Sequence, residues 1–111
     1  MQKTSIFSMT AIATAAVLAN RFVGMLTGAP CAAGAKAQGV AQYAAAAGEA
    51  FAVDVLGTSI VDSGAAVGAG VAVKSDASGR AIAQGGTGEI LGYTVTAATA
   101  ADQKLEVLLT L

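Results

Sequence analysis

The sequence FAVDV at residues 51–55 decides the fold class, because its larger apolar side chains recur at every second position. Phe51, Val53 and Val55 therefore share one face of an extended strand. The sequence LEVLL at residues 105–109 alternates in the same way. Short alternating runs of this kind are typical of strands that bury one face.

Glycine and turn residues separate these strands. The chain has 14 glycines, and each glycine inside a helix costs about 0.5–1 kcal/mol relative to alanine. The sequence SDASGR at residues 75–80 predicts a turn between two short strands, with Gly79 where a positive φ is needed. With 111 residues the chain fits one domain. We therefore predict a mostly β protein, a small single-domain β-barrel or sandwich.

The predicted core is small for this length. Hydrophobic residues make up 55% of the chain, but many of them are alanine. A buried alanine contributes little beyond one methyl group, whereas full burial of Val, Leu, Ile or Phe contributes about 1.5–3 kcal/mol. We therefore expect a partner surface, or self-association, to add to the stability of the domain.

Two stretches of the sequence match each other and indicate an internal repeat. Residues 39–49 align with residues 92–102, since each begins with glycine and continues into an alanine-rich connector. Each is followed by an alternating strand with one acid, Asp54 in the first and Glu106 in the second. Chance matching in a chain rich in Ala, Gly and Val is the alternative. The predicted copies of this β unit, which would close against each other, are residues 20–57 and 70–111.

The first 14 residues precede this repeat, and we predict that residues 1–14 form an extended N-terminal arm beside a β-rich domain at residues 15–111. Large apolar side chains in the arm are predicted to contact a neighbouring subunit as an added strand. The alternative is that they belong to an ordinary core strand. The predicted contact residues are Ile6, Phe7, Met9 and Ile12.

The same N-terminal stretch also resembles a secretory signal, with one lysine, an apolar run and the small residues of Val17-Leu18-Ala19. Serine and threonine interrupt the apolar run, and Asn20 closes it before the ~20 apolar residues of a membrane-spanning helix accumulate. We therefore expect no membrane partner. A secreted or surface-assembled subunit with a signal peptide remains the alternative function.

Charge and residue content exclude several classes of function. Lys plus Arg is 6, Asp plus Glu is 7, and these charges are scattered singly, so the sequence offers no cation cluster for nucleic acid. The sequence has no histidine, which removes the usual general base and the commonest metal ligand. The single Cys31 is interpreted as a small buried hydrophobe. We predict no enzyme activity, no catalytic residue, no cofactor and no metal, with a small enzyme or ligand-binding barrel as the remaining alternative.

The charged side chains are predicted to lie in solvent. Asp54 and Glu106 fall opposite the apolar faces of their strands, where they would be solvated or protect a sheet edge. Arg21, Lys74 and Arg80 are predicted to be available for ion pairs with a partner.

The order of four stretches resembles a known family. They are ANRFV at 19–23, GVAQYAAAAGE at 39–49, VAVKSDASGRA at 71–81, and the run from Leu91 to Leu109. Together they look like the small capsid cement, or head decoration, proteins of tailed bacteriophages. The resemblance covers about residues 15–111 and rests on order and spacing, since no single motif is diagnostic.

This resemblance implies a structural protein of the virion. It implies that the chain is made in the bacterial host cytoplasm, attaches to the outside of the phage head and bridges major capsid protein subunits. It also implies a homotrimer on the capsid, with terminal arms joining the contacts. On this interpretation Ile6, Phe7, Met9 and Ile12 contact the capsid or a neighbouring subunit. No family residue with a defined chemical role has a match in this sequence.

Overall fold

The structure is a computed structural model that describes residues 3–110, and these residues form eight antiparallel strands without a helix. The strand order is β2-β3-β4-β8-β7-β5-β6, with β1 paired to β4, and the sheet curves into a nearly closed barrel. This confirms the predicted mostly β fold. No described segment is a helix long and apolar enough to cross a membrane. The strands are β1 (Ser5–Ile12), β2 (Phe22–Gly24), β3 (Ala37–Ala41), β4 (Ala50–Asp62), β5 (Ala72–Ser75), β6 (Ala81–Ala83), β7 (Gly92–Thr94) and β8 (Lys104–Leu109).

The longest strand, β4, has 13 residues and joins the two halves of the sheet. Its first half pairs with β1 and β3, and its second half pairs with β8. Between the halves, Gly57 has a φ of 100°. A Cβ atom at Gly57 would lie 2.2 Å from the backbone oxygen of Thr4. Glycine therefore allows β1 to approach the point where β4 passes from one half of the sheet to the other.

The chain builds the same four-stranded arrangement twice. Unit 1 (residues 5–57) has the order β1, first half of β4, β3, β2. Unit 2 (residues 58–109) has the order second half of β4, β8, β7, β5, with β6 added beside β5. In each unit one row of paired residues crosses all four strands. The unit 1 row is Ser8, Asp54, Val40 and Phe22, and the unit 2 row is Thr58, Leu108, Tyr93 and Ala72.

The register shows which residues of the two units correspond. Gly39 pairs with Val23 as Gly92 pairs with Val73, so the two aligned glycines do occupy equivalent positions. The two acids do not. Asp54 corresponds to Leu108 and not to Glu106, because the chain between β7 and β8 is longer than the chain between β3 and β4. The predicted match of the acids is therefore wrong.

Buried apolar residues form two clusters. The smaller cluster lies within unit 1 and consists of Ala13, Val17, Val23, Ala41, Ala45, Phe51 and Val53. The larger cluster combines Phe22, Cys31, Ala37 and Val40 of unit 1 with the interior of unit 2. The unit 2 members are Val61, Val67, Val73, Ala81, Leu91, Ala98, Leu105, Val107 and Leu109. One face of unit 1 thus packs against unit 2, and this packing makes the two units a single domain.

The expected N-terminal arm is not confirmed. Residues 5–12 form β1, which pairs with β4 from Ser5 opposite Gly57 to Ile12 opposite Ala50. Within unit 1, β1 takes the place that the second half of β4 takes in unit 2. This segment is therefore part of the sheet. Met1 and Gln2, which begin the expected arm, lie outside the described residues.

Candidate functional site

The four predicted contact residues all lie on β1 and are exposed. Ile6, Phe7, Met9 and Ile12 expose between 39% and 72% of their surface. The alternative that they are core residues is wrong, since the buried clusters contain none of them. A surface strand with four large exposed apolar side chains is a candidate for contact with another protein.

One edge of β1 is also open. Within residues 3–110, β1 pairs with β4 and with no other strand. The backbone groups on its other edge therefore have no partner strand, and such an edge can accept an added strand from another chain. The side chains and the edge together make β1 the candidate interaction surface.

A loop beside β1 extends this surface. Leu26 is 81% exposed and has a φ of 56°, in the left-handed region that bulky residues rarely adopt. The backbone there costs about 1–2 kcal/mol for a residue with a Cβ atom. Leu26 and Thr27 line a shallow cavity of about 220 Å³ with Met9 and Ile12 of β1. Sequence analysis missed Leu26, because no local pattern marks a leucine held in this conformation.

A buried carboxylate fixes the start of β1 to the sheet. Asp54 is fully buried, and its carboxylate accepts hydrogen bonds from Gln42 Nε2, from Ser59 Oγ at 2.8 Å and from Ser8 Oγ at 3.3 Å. Lys3 Nζ lies 2.7 Å from its Oδ2 atom. The prediction that Asp54 is solvated is therefore wrong. The face opposite Phe51 and Val53 is covered, because unit 2 and the N-terminal segment lie over it.

The pKa of Asp54 reflects this environment. Burial raises the pKa of the carboxyl group, but hydrogen bonds from Lys3, Gln42, Ser59 and Ser5 outweigh that effect, and the pKa lies below its ordinary value. Asp54 is therefore ionised at neutral pH. Because all its contacts stabilise the charged form, the arrangement holds β1 in place and does not resemble a carboxylate prepared for proton transfer.

Three basic residues are predicted to be available for ion pairs with a partner. Two of them, Arg21 and Arg80, form ion pairs within the chain. Arg21 Nε lies 2.9 Å from Asp62 Oδ2. Arg80 bridges Asp76 at 2.9 Å and Asp102 at 3.0 Å. Lys74 donates a hydrogen bond to Thr87 Oγ1 at 3.3 Å. These contacts tie turns together within the chain.

Between residues 3 and 110 no three His, Cys, Asp or Glu side chains are grouped so as to hold a metal ion. Cys31 is buried, and its burial raises the pKa of the thiol more than the hydrogen bond with Ser75 lowers it. A thiol in this environment is a poor nucleophile at neutral pH.

Comparison with known proteins identifies the family of the chain. The model of the phage cement protein family matches residues 1–111. No curated protein matches the chain. Among solved structures, the N base of the head fiber gp8.5 of bacteriophage phi29 has a TM-score of 0.76 at 22% identity, over 94% of this chain and 93% of that chain. At this identity the likeness shows a shared fold. The family model covers the whole chain, and the chain thus belongs to the phage cement protein family and is a structural protein of the virion.

Proposed function

We propose that the protein binds the outer surface of the phage head and stabilises it by bridging major capsid protein subunits, with β1 in the contact. The supporting observation is the exposure of Ile6, Phe7, Met9 and Ile12 along one open-edged strand. Family membership supports a place on the capsid. Synthesis in the host cytoplasm and assembly as a homotrimer on the head belong to the same proposal.

The physical mechanism is linkage. A protein that binds the assembled shell and not its free subunits stabilises the shell by the free energy of that binding. Full burial of Ile or Phe contributes about 1.5–3 kcal/mol, so burying the exposed parts of Ile6 and Phe7 contributes about 1–2 kcal/mol each. Backbone hydrogen bonds along the open edge of β1 add to this and fix the register of the contact. The stabilisation of the shell by each bound copy is modest, but binding at many junctions multiplies it.

The test is co-sedimentation of the protein with purified, undecorated heads. We expect saturable binding at a fixed ratio to the major capsid protein. An Ile6→Ser, Phe7→Ser double variant should bind at least tenfold more weakly, because each substitution removes about 1–2 kcal/mol of apolar contact. Leu18→Ser is the matched control, since Leu18 is about as exposed as Phe7 and lies outside β1. Equal binding by the double variant and the control would reject β1 as the contact, and absence of saturable binding would reject the function.

The fold argues against the alternative of a secreted subunit with a signal peptide. Cleavage after Ala19 would remove β1 together with Ala13 and Val17, which are buried in the unit 1 cluster. It would also remove Lys3, the ion-pair partner of Asp54. Mass spectrometry of the protein from infected cells and from the medium tests this point. A mature chain beginning at Asn20 would support secretion, and a chain that retains β1 would support the capsid function.

A further inference from the structure

Gln38 is a polar residue that is buried without a strong hydrogen-bond partner. It is only 6% exposed. Its Nε2 atom donates to Met9 Sδ at 3.9 Å, and a thioether sulfur is a weak acceptor. In the part of the chain that the structure describes, no side-chain or backbone donor pairs with its Oε1 atom. Every fully buried side-chain nitrogen or oxygen atom of the same residues has a partner, so Oε1 is an accessible part of Gln38.

The equivalent residue of unit 2 is apolar. Gly39 and Gly92 occupy equivalent positions, and the residue before Gly92 is Leu91. Leu91 is fully buried and belongs to the larger cluster. The four-stranded arrangement therefore accepts leucine at this position and does not need an amide there. Because a buried amide without strong hydrogen bonds is unfavourable for folding, Gln38 is a candidate for a role in binding.

A β-bulge directs Gln38 toward β1. The pairing of β2 with β3 shifts by one residue at Gln38, which lies between the partners of Val23 and Gly24. Bulges of this kind redirect a side chain and are common beside functional sites. The amide of Gln38 consequently lies against Met9, and both residues line the cavity beside β1.

The cavity lies where the open edge of β1 meets the loop at residues 26–28. Residues 9–12 of β1 line one side of the cavity, and the loop lines the other. The unit 1 core beneath it is closed, since Val53, which pairs with β1, is fully buried. Thr14 N donates a hydrogen bond to Gly28 O at 2.9 Å, which closes the edge beyond the cavity. A strand added along β1 therefore ends at this cavity, and β1 stays paired with β4.

The size and lining of the cavity define what it can hold. Its volume of about 220 Å³ is below the roughly 300–1,000 Å³ of pockets for small-molecule ligands, so it has room for one amino-acid side chain. None of the described residues that line it is charged, so a charged side chain would lose its hydration without gaining an ion pair. An apolar side chain would leave the amide of Gln38 unpaired. A carboxamide donates to Oε1 and accepts from Nε2, and thus pairs both groups of Gln38.

We propose that the cavity binds the carboxamide side chain of an asparagine or glutamine in an extended segment of the capsid partner, and that Gln38 selects it. The backbone of that segment pairs with the open edge of β1, and its side chain enters between Met9 and Leu26. The identity of the partner rests on the proposed function. The preference for a carboxamide rests on the cavity alone, so the two are tested separately.

Peptide binding in solution tests the preference without heads. The probe is a blocked heptapeptide of alternating threonine and valine with asparagine at its centre, and two matched peptides carry leucine or aspartate there. Binding to the full isotope-labelled chain is followed by the NMR signals of the Gln38 side-chain amide and of residues 9–12. The asparagine peptide should bind about fivefold or more tightly than either matched peptide, since only it pairs the amide. No saturable binding, or equal affinities for the three peptides, would overturn the proposal.

Gln38→Leu separates a role in binding from a role in folding. Unit 2 carries leucine at the equivalent position, so the Tm of the variant should not fall. With this variant the leucine peptide should bind at least as tightly as the asparagine peptide, which reverses the order. Gln103→Leu is the matched control, because Gln103 is exposed in unit 2 away from the cavity, and it should keep the wild-type order. A lower Tm with an unchanged order of affinities would assign Gln38 to the fold and overturn the proposal.

Co-sedimentation with undecorated heads connects the cavity to the proposed function. If the heads bind the wild-type protein, Gln38→Leu should bind them about fivefold more weakly, and Gln103→Leu should bind them equally well. Equal binding by Gln38→Leu would overturn the capsid as the partner of the cavity while the proposed function stands. No binding of the wild-type protein would reject the proposed function, and the peptide affinities would still decide whether the cavity selects a carboxamide.

Discussion

Replacing Asp54 by asparagine is the most informative single change to the fold. The side chain keeps its shape, but one carboxylate oxygen becomes an NH₂ group that faces hydrogen-bond donors. Depending on its orientation, that NH₂ group meets either Gln42 and Ser8 or Lys3 and Ser59. Ser8 or Ser59 can accept a hydrogen bond from the new NH₂ group, but Gln42 Nε2 or Lys3 Nζ loses its acceptor, and the charge that pairs with Lys3 is lost in both cases.

The size of the effect follows from these contacts. A hydrogen bond to a charged group contributes about 1.5–3 kcal/mol. Lys3 is partly exposed and regains water, so its share is at the low end. We expect Asp54→Asn to lower the free energy of unfolding by about 3 kcal/mol, which corresponds to a fall in Tm of roughly 10–15 °C for a chain of this size.

Urea unfolding at several pH values tests this reasoning. The folded-state pKa of Asp54 lies below its unfolded value, so its contribution is present above the unfolded pKa of about 3.9 and is lost as pH falls through the folded pKa. The gap between wild type and Asp54→Asn should therefore stay constant between about pH 5 and 7 and shrink in stronger acid. Asp102→Asn is the control, because Asp102 is exposed and asparagine also tolerates its φ of 62°. A loss below about 1 kcal/mol, or a gap that widens in acid, would refute the assigned role of Asp54.

Three further outcomes follow from particular positions. A Cβ atom at Gly39 would meet the Asp54 backbone oxygen at 2.1 Å, and one at Gly92 would meet the Leu108 backbone oxygen at 2.4 Å. Gly39→Ala and Gly92→Ala should therefore each destabilise the domain by about 2–3 kcal/mol in thermal unfolding, and a neutral effect at either site would show that the two units do not share this close approach. Leu26→Gly should relieve the strain of the left-handed backbone and raise the free energy of unfolding by about 0.5–1 kcal/mol. The same change should weaken head binding. A lower free energy of unfolding would contradict the strain. Cys31 should react with a thiol reagent at mildly alkaline pH only after unfolding, since burial raises its pKa, and rapid labelling of the native protein would contradict its burial.

Period-two alternation predicted β4 and β8 because each of these strands buries one row of side chains in an apolar cluster. Phe51 and Val53 are buried on β4, and Leu105 and Val107 are buried on β8, as their spacing indicates. What alternation left undetermined is the environment of the opposite face. Alternation predicts Asp54 on that face and in solvent, but unit 2 packs there and buries it. The spacing of apolar residues along one strand carries no information about contacts between distant halves of the chain.

The N-terminal surface was predicted in part. Its apolar content marked Ile6, Phe7, Met9 and Ile12, and the structure places all four on one exposed strand. The sequence does not predict the pairing of β1 with β4, because the predicted repeat begins at residue 20. In unit 2 the strand equivalent to β1 is the second half of β4. The predicted copies, residues 20–57 and 70–111, both begin after this strand. Each therefore lacks the first strand of its unit.

Because the two equivalent units pack asymmetrically, unit 1 has the smaller core. The cluster of unit 1 has Phe51 as its only aromatic member and three alanines, whereas unit 2 shares a larger cluster with one face of unit 1. β1 lies on this smaller half, and its exposed side chains contribute little to the stability of the free protein. A partner that covers β1 stabilises the half of the domain that has the smaller core. By linkage, a partner that binds the folded chain at β1 also stabilises unit 1 against unfolding. Substitutions at Ile6 and Phe7 should consequently separate the two effects, weakening attachment while leaving the unfolding of the free chain nearly unchanged.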